Sequence, residues 1–181
     1  MKNLKSILIV LVAMASSIIV KGQVFTEGTN IISAGIGIPN VLKNQFNQIG
    51  ANAKGSPVVL GSFEHGLNDE WSIGGIVAYS TTSVNDEVLG FKYEGKWKFL
   101  IIGAKIDYHF GNEKVDIYGG SVLGYASISE TILDKKIATI SGFVYYPHLG
   151  IRYPFSKNVH GFTEIGYGIS ILNLGLSISL K

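Results

Sequence analysis

Leu67-Asn68-Asp69-Glu70 and the stretch after it, Trp71-Ser72-Ile73-Gly74-Gly75-Ile76-Val77-Ala78-Tyr79-Ser80, form a polar turn that leads directly into a two-residue alternation. Trp71, Ile73, Val77 and Tyr79 fall on one side; Ser72, Gly74, Ala78 and Ser80 fall on the other. A period of two is the mark of a β-strand with two different faces. The turn recurs as Gly111-Asn112-Glu113-Lys114 and Ser156-Lys157-Asn158, with Asn68, Asn112 and Asn158 spaced 44 and 46 residues apart. Each interval holds two alternating strands and one longer polar loop. Short turns at one end and longer loops at the other describe an up-and-down antiparallel sheet. The full rhythm predicts an all-β, eight-stranded antiparallel barrel with both ends of the sheet on the short-turn side.

Working outward from that stretch, the strands are expected at about Asn30–Pro39, Val58–Leu67, Trp71 onward, Lys98–Phe110, Val115–Ser127, Ile140–Tyr153, Val159–Ile169 and Leu172–Leu180. The fifth has no clear orientation, because Gly and apolar residues mix on both parities and Tyr118 and Tyr125 oppose each other. The longer loops are expected at Asn40–Pro57, Thr82–Trp97 and Ser127–Thr139, with a tight hairpin near Ser170-Ile171. No segment after Gln23 carries a sustained helical period.

Residues 1–22 read as a signal peptide. Lys2 and Lys5 make a basic start, and Ile7 to Val20 is an apolar run too short for a spanning helix, which needs about 20 residues. Val20 and Gly22 suit a cleavage site, leaving residues 23–181 as one barrel domain. Beyond Gln23 the chain has twelve basic and thirteen acidic residues, a net charge of −1, so the precursor's pI of about 8.7 offers nothing to nucleic acid. There is no cysteine, which removes disulfides, thiol chemistry and Cys-based metal sites.

The two strand faces identify the surrounding solvent. One is almost free of charge. The other is rich in Gly, Ser and Ala with a few isolated charges: Glu64, Lys105, Asp107, Arg152 and Glu164. A soluble barrel would show water many Lys, Glu, Thr and Gln. Small residues with sparse charges fit a narrow lumen, and the apolar face fits lipid. Trp71, Tyr108, Phe110, Tyr153 and Phe155 flank the short turns and are expected as one interfacial girdle, with Tyr79, Trp97 and Phe143 in the other. The five charges are expected as a salt-bridge network at one depth of the lumen, Arg152 pairing with Glu164 or Glu64 through its planar fork.

The signal peptide, Phe63-Glu64-His65-Gly66-Leu67-Asn68-Asp69-Glu70-Trp71-Ser72-Ile73-Gly74, Gly150-Ile151-Arg152-Tyr153 and Phe162-Thr163-Glu164-Ile165-Gly166-Tyr167-Gly168 together resemble the small OmpA/OmpX-type outer-membrane β-barrels of Gram-negative bacteria. The resemblance implies export to the outer membrane, contact with its lipid and handling by barrel-insertion machinery. The family's last strand commonly ends in an aromatic residue, whereas this chain ends Leu180-Lys181.

The functional expectation is a structural or surface-interaction barrel with a lumen plugged by side chains and an extracellular partner at the long loops. The alternatives are a narrow porin-like channel for small solutes or ions and a lipid-modifying enzyme. No catalytic or cofactor site is expected. His65, His109, His148 and His160 show no metal-binding spacing, and Gly35-Ile36-Gly37-Ile38-Pro39 lacks the third glycine of a dinucleotide loop.

Overall fold

The computed structural model describes residues 25–88, 91–110, 114–132, 135–168 and 170–180; at 86–88 and 91–93 it describes the backbone. The expected signal peptide, the turn residues Gly111, Asn112 and Glu113, and Lys181 lie outside these. The elements are β1 (Asn30–Asn40), α1 (Val41–Gln48), β2 (Ala53–Gly55), β3 (Val58–Gly66), β4 (Trp71–Val88), β5 (Phe91–His109), β6 (Asp116–Ile132), β7 (Lys135–Pro154), β8 (Val159–Gly166) and β9 (Ser170–Leu180).

Each long strand pairs antiparallel with its neighbour in sequence, and β1 pairs with β9 to close a ring of eight. Closure leaves no free edge around the short-turn half. β2 is not a ninth stave. It pairs with Thr82 to Val84 of β4, directly above the stretch that β3 covers, so β2 and β3 share one place in the ring. The turns are built as their sequences suggest: the Asn68 side-chain oxygen accepts from Glu70 N and Trp71 N at 2.8 Å each, and the Ser156 hydroxyl accepts from Val159 N.

Two of the expected long loops are strand instead. β4 and β5 stay paired from Trp71↔Tyr108 up to Val88↔Phe91, and β6 and β7 up to Ile132↔Lys135, with one bulge at Glu130/Thr131. In the upper wall the outward positions turn polar, as at Ser83, Lys96, Lys98 and Ser129, so the apolar alternation fades while the backbone ladder continues. β8 and β9 turn back much lower, so β4–β7 form a tall wall and β8–β9 a low rim. The third expected loop contains α1, eight residues long. Asn40 caps it, its side-chain oxygen accepting from Lys43 N while its amide donates to Ser56 O at 3.0 Å.

The exterior is apolar on every stave: Ile32 and Ile36, Val59 and Phe63, Ile73 and Val77, Ile102 and Ile106, Leu123, Leu149 and Ile151, Ile165, Leu174 and Leu176 all face out. The interior has two storeys. Near the short turns it is charged. Above lies an apolar layer of Leu60, Ile76, Ala78, Ile101, Val122 and Tyr146, which Phe162 joins from a position below Glu164 on β8. That layer was hidden among the small residues of the inward parity. β6 takes the orientation that the sequence left open: Asp116, Tyr118, Val122 and Ala126 point in, and Ile117, Leu123 and Tyr125 point out. Tyr118 fits inside because Gly150 of β7 faces it; a Cβ there would overlap the phenol ring. Trp97 is on the inward parity and packs against Phe46 of α1 with ring centroids 4.5 Å apart, so it sits under the helix and not in a girdle.

Candidate functional site

Adjacent strands deliver charges to the lumen at one level because the period-two register brings inward positions opposite each other. β3 gives Glu64, β5 gives Lys105, Asp107 and His109, β6 gives Asp116 and Tyr118, β7 gives His148 and Arg152, and β8 gives His160 and Glu164. All are buried.

Arg152 is 1% exposed and anchors one half of the cluster. Its Nη2 donates to both oxygens of Glu64 at 2.6 Å, and its Nη1 donates to Asp116 Oδ2 at 2.8 Å. Lys105 anchors the other, with its Nζ 3.1 Å from Glu64, 2.9 Å from Asp107 and 3.2 Å from Glu164. Glu64 therefore bridges the two cations. Of the two partners open to Arg152 in the sequence, the structure brings Glu64 to it and gives Glu164 to Lys105. The Tyr118 ring lies close to both cations, 4.8 Å from Lys105 Nζ and 4.2 Å from Arg152 Cζ. Two cations beside one aromatic ring are compatible because four carboxylates, Glu64, Asp107, Asp116 and Glu164, surround them.

The five charges read from the sequence thus share one connected set. Sequence reasoning missed Asp116 and the histidines' part in it. Asp116 was lost because its strand could not be oriented. His148 donates to Asp107 at 2.8 Å, and Asn173 donates to Glu164 at 3.1 Å. The girdle aromatics lie outside the lumen beside the short turns: Trp71 packs on Tyr108 at 5.0 Å, Tyr108 on Phe110 at 6.2 Å, and Tyr153 on Phe155 at 6.4 Å.

A second hydrogen-bonded line runs through His109. Its Nδ1 donates to Asp116 at 2.8 Å and its Nε2 accepts from the Ser72 hydroxyl at 2.9 Å. Serine, histidine and aspartate in this order resemble a hydrolase relay, but the surroundings do not complete one. Ser72 is 1% exposed, its residue is laddered to β3 and β5 on both sides, and Phe25 lies flat on His109 with ring centroids 3.6 Å apart. An acyl group would find neither an approach nor free backbone donors. Glu64, Asp107 and His109 offer ligand atoms within 4.8 Å of one another. Lys105 and Arg152 already hold both carboxylates, so a metal ion would have to displace or repel a cation.

The lower mouth is covered by the segment before β1. Gly28, at φ +74°, turns it so that Gly28 N donates to Gly66 O and Gly66 N donates to Thr29 O, while Glu27 N donates to Asp69. Phe25, 5% exposed, is the residue this turn presses onto His109.

A closed antiparallel ring of eight staves with an apolar outside and a charged inside is a small transmembrane β-barrel of the outer-membrane type. Among solved structures the chain is similar to the outer membrane protein OprG of Pseudomonas aeruginosa, with a TM-score of 0.59 and 14% identity, covering 89% of this chain and 99% of that one. At that identity the likeness speaks for the fold. The N-terminal β-barrel domain of Pseudomonas aeruginosa OprF (TM-score 0.48, 17% identity, 86% and 98% covered) and Ail of Yersinia pestis (TM-score 0.46, 16% identity, 84% and 95% covered) are more distant in shape. No family model matches the chain, and no curated protein does.

Proposed function

We propose that this protein is an outer-membrane barrel with a closed lumen, a structural or surface-interaction protein whose external work lies in the tall β4–β7 wall and the α1 segment. The observation that carries this reading is the filled interior. Charged side chains from five staves are tied together across the lower lumen, and apolar side chains fill the layer above. The void between Leu60, Ile76, Ala78, Tyr146 and Asn173 is only about 10 Å³, roughly the volume that one water needs. A permeating ion would have to break several buried ion pairs, each costly to open.

The test is conductance across planar bilayers, using refolded protein whose gel mobility shifts on heating. The expected outcome is a silent membrane. Sustained ohmic openings from the wild type would overturn the closed-lumen reading in favour of a narrow channel. Export is read by fractionation, with the protein expected in the outer membrane.

A further inference from the structure

The lipid-facing surface changes character on β6 and β7. Elsewhere its middle is aliphatic, as at Ile36, Val77, Ile102 and Leu174. On β6 and β7 the register sets Leu123 beside Tyr145 and Tyr125 beside Phe143, all pointing out. Phe143 is 93% exposed and stands clear of the wall, with the Tyr125 ring edge-on to it at a centroid distance of 5.6 Å. Directly beside it runs a groove of about 350 Å³ lined by Leu123, Gly124, Phe143, Val144 and Tyr145. An aromatic knob and an apolar hole thus share one patch at one height.

Two further features set the patch apart from a surface made only for acyl chains. The Ser121 hydroxyl donates to the Tyr145 phenol oxygen at 3.1 Å, on the outer face and in line with the apolar Ile117 and Leu123. The phenol O–H is left to be donated outward, where hydrocarbon has no acceptor and a protein surface does. Above the patch the outward rows are neutral hydroxyls, Ser127 with Ser141 and Ser129 with Thr139, each pair bonded at 3.3 Å. On β5 the outward positions above Leu100 are instead Lys98 and Lys96. Two copies meeting through β5 would oppose ammonium groups, whereas two copies meeting through β6 and β7 oppose hydroxyls.

We infer that this patch docks a second copy of the same chain, in a dimer whose two-fold axis stands along the membrane normal. The inference rests on the outer-membrane reading above. Both copies are inserted the same way up, so only a self-complementary patch at constant depth can serve, and the adjoining knob and groove meet that condition. Phe143 of each copy enters the groove of the other, and the Tyr145 phenols approach each other across the axis. Leu123, Tyr125, Phe143, Tyr145 and Leu149 together expose roughly 600 Å², from their exposed fractions and the ~150–250 Å² that an aromatic side chain can bury. A stable interface buries about 800 Å² per partner, which Ile117, Ile151 and the hydroxyl rows approach at the margin.

The test uses the full barrel refolded into lipid vesicles. The chain has no cysteine, so single-cysteine variants each report one site. Ser127→Cys, just above the patch, should be joined to a second copy by a short thiol-reactive cross-linker, whereas Ile36→Cys, on the opposite side of the ring, should not. Förster transfer between donor- and acceptor-labelled copies should persist as the protein is diluted in lipid. Phe143→Ala should raise the density at which half the dimer dissociates by about tenfold, and Ile36→Ala should leave it unchanged. Wild-type transfer no higher than random collision would mean that acyl chains cover the patch, and would overturn the inference. Equal cross-linking of Ser127→Cys and Ile36→Cys, or a Phe143→Ala variant that dimerises like wild type, would overturn it too. A wild type that shows no heat-dependent gel shift would count against the outer-membrane barrel itself, a different failure from a folded barrel that stays monomeric.

Discussion

Arg152→Ala is the sharpest perturbation of the lumen. The guanidinium donates to both oxygens of Glu64 and to Asp116, and lies 4.2 Å from the Tyr118 ring. After its removal Glu64 keeps Lys105 at 3.1 Å, but Asp116 keeps only His109. Removing one partner of a buried pair costs about 3–5 kcal/mol, because the surviving charge stays out of water. With a urea dependence of about 2 kcal/mol per molar, a loss of about 4 kcal/mol moves the unfolding midpoint down by about 2 M. The assay is urea unfolding of refolded barrel in lipid vesicles, followed by heat-dependent gel mobility. Adding Glu64→Gln and Asp116→Asn to Arg152→Ala should restore part of the loss by removing the stranded charges. A midpoint within about 0.3 M of wild type would refute the reasoning, because the network would then not hold the lumen together. A large conductance in a variant of unchanged stability would mean that the same groups gate a path.

Gly150→Ala should destabilise the barrel by about 1–3 kcal/mol, because its Cβ overlaps Tyr118, which is hemmed in by both cations; Tyr118→Ala in the same chain should relieve the clash, and failure of that rescue in urea titrations would contradict the packing account. Phe25→Ala should cost about 1 kcal/mol of stacking and expose His109 at the lower mouth. Peptide mapping after an imidazole-acylating reagent should show faster modification of His109; an unchanged rate would mean that the segment does not cover it.

The staves were legible where lipid and lumen oppose each other across one strand. Trp71, Ile73, Val77 and Tyr79 could be read because burial and period coincide there. The same signal fails in the upper wall, where Ser83 and Lys96 or Lys98 and Ser129 are register partners on a backbone ladder without an apolar alternation to announce it. α1 escaped because eight residues give barely two turns of period, although Asn40 before Val41 and Leu42 was a usable capping signal. The cluster was half visible. Glu64, Lys105, Asp107, Arg152 and Glu164 stood out as charges among small residues, but their pairing depends on barrel radius and stagger, which a one-dimensional pattern does not contain. Asp116 required the orientation of β6, which Gly150 on the neighbouring strand decides.

The seam between β1 and β9 has a consequence for assembly. It joins Ile32 to Ile178 and ties Ser33 to Ser177 by a buried hydroxyl pair, contacts separated by 144 residues in the case of the serines. Every other long stave finds its partner from nearby in the chain. Until β9 arrives, β1 and β8 each present an open ladder of backbone donors and acceptors, the kind of edge that recruits a stranger's strand. A chain delivered from its beginning therefore stays vulnerable until nearly all of it has emerged. Protection by a holding partner matters most for the interval between emergence of β1 and arrival of β9.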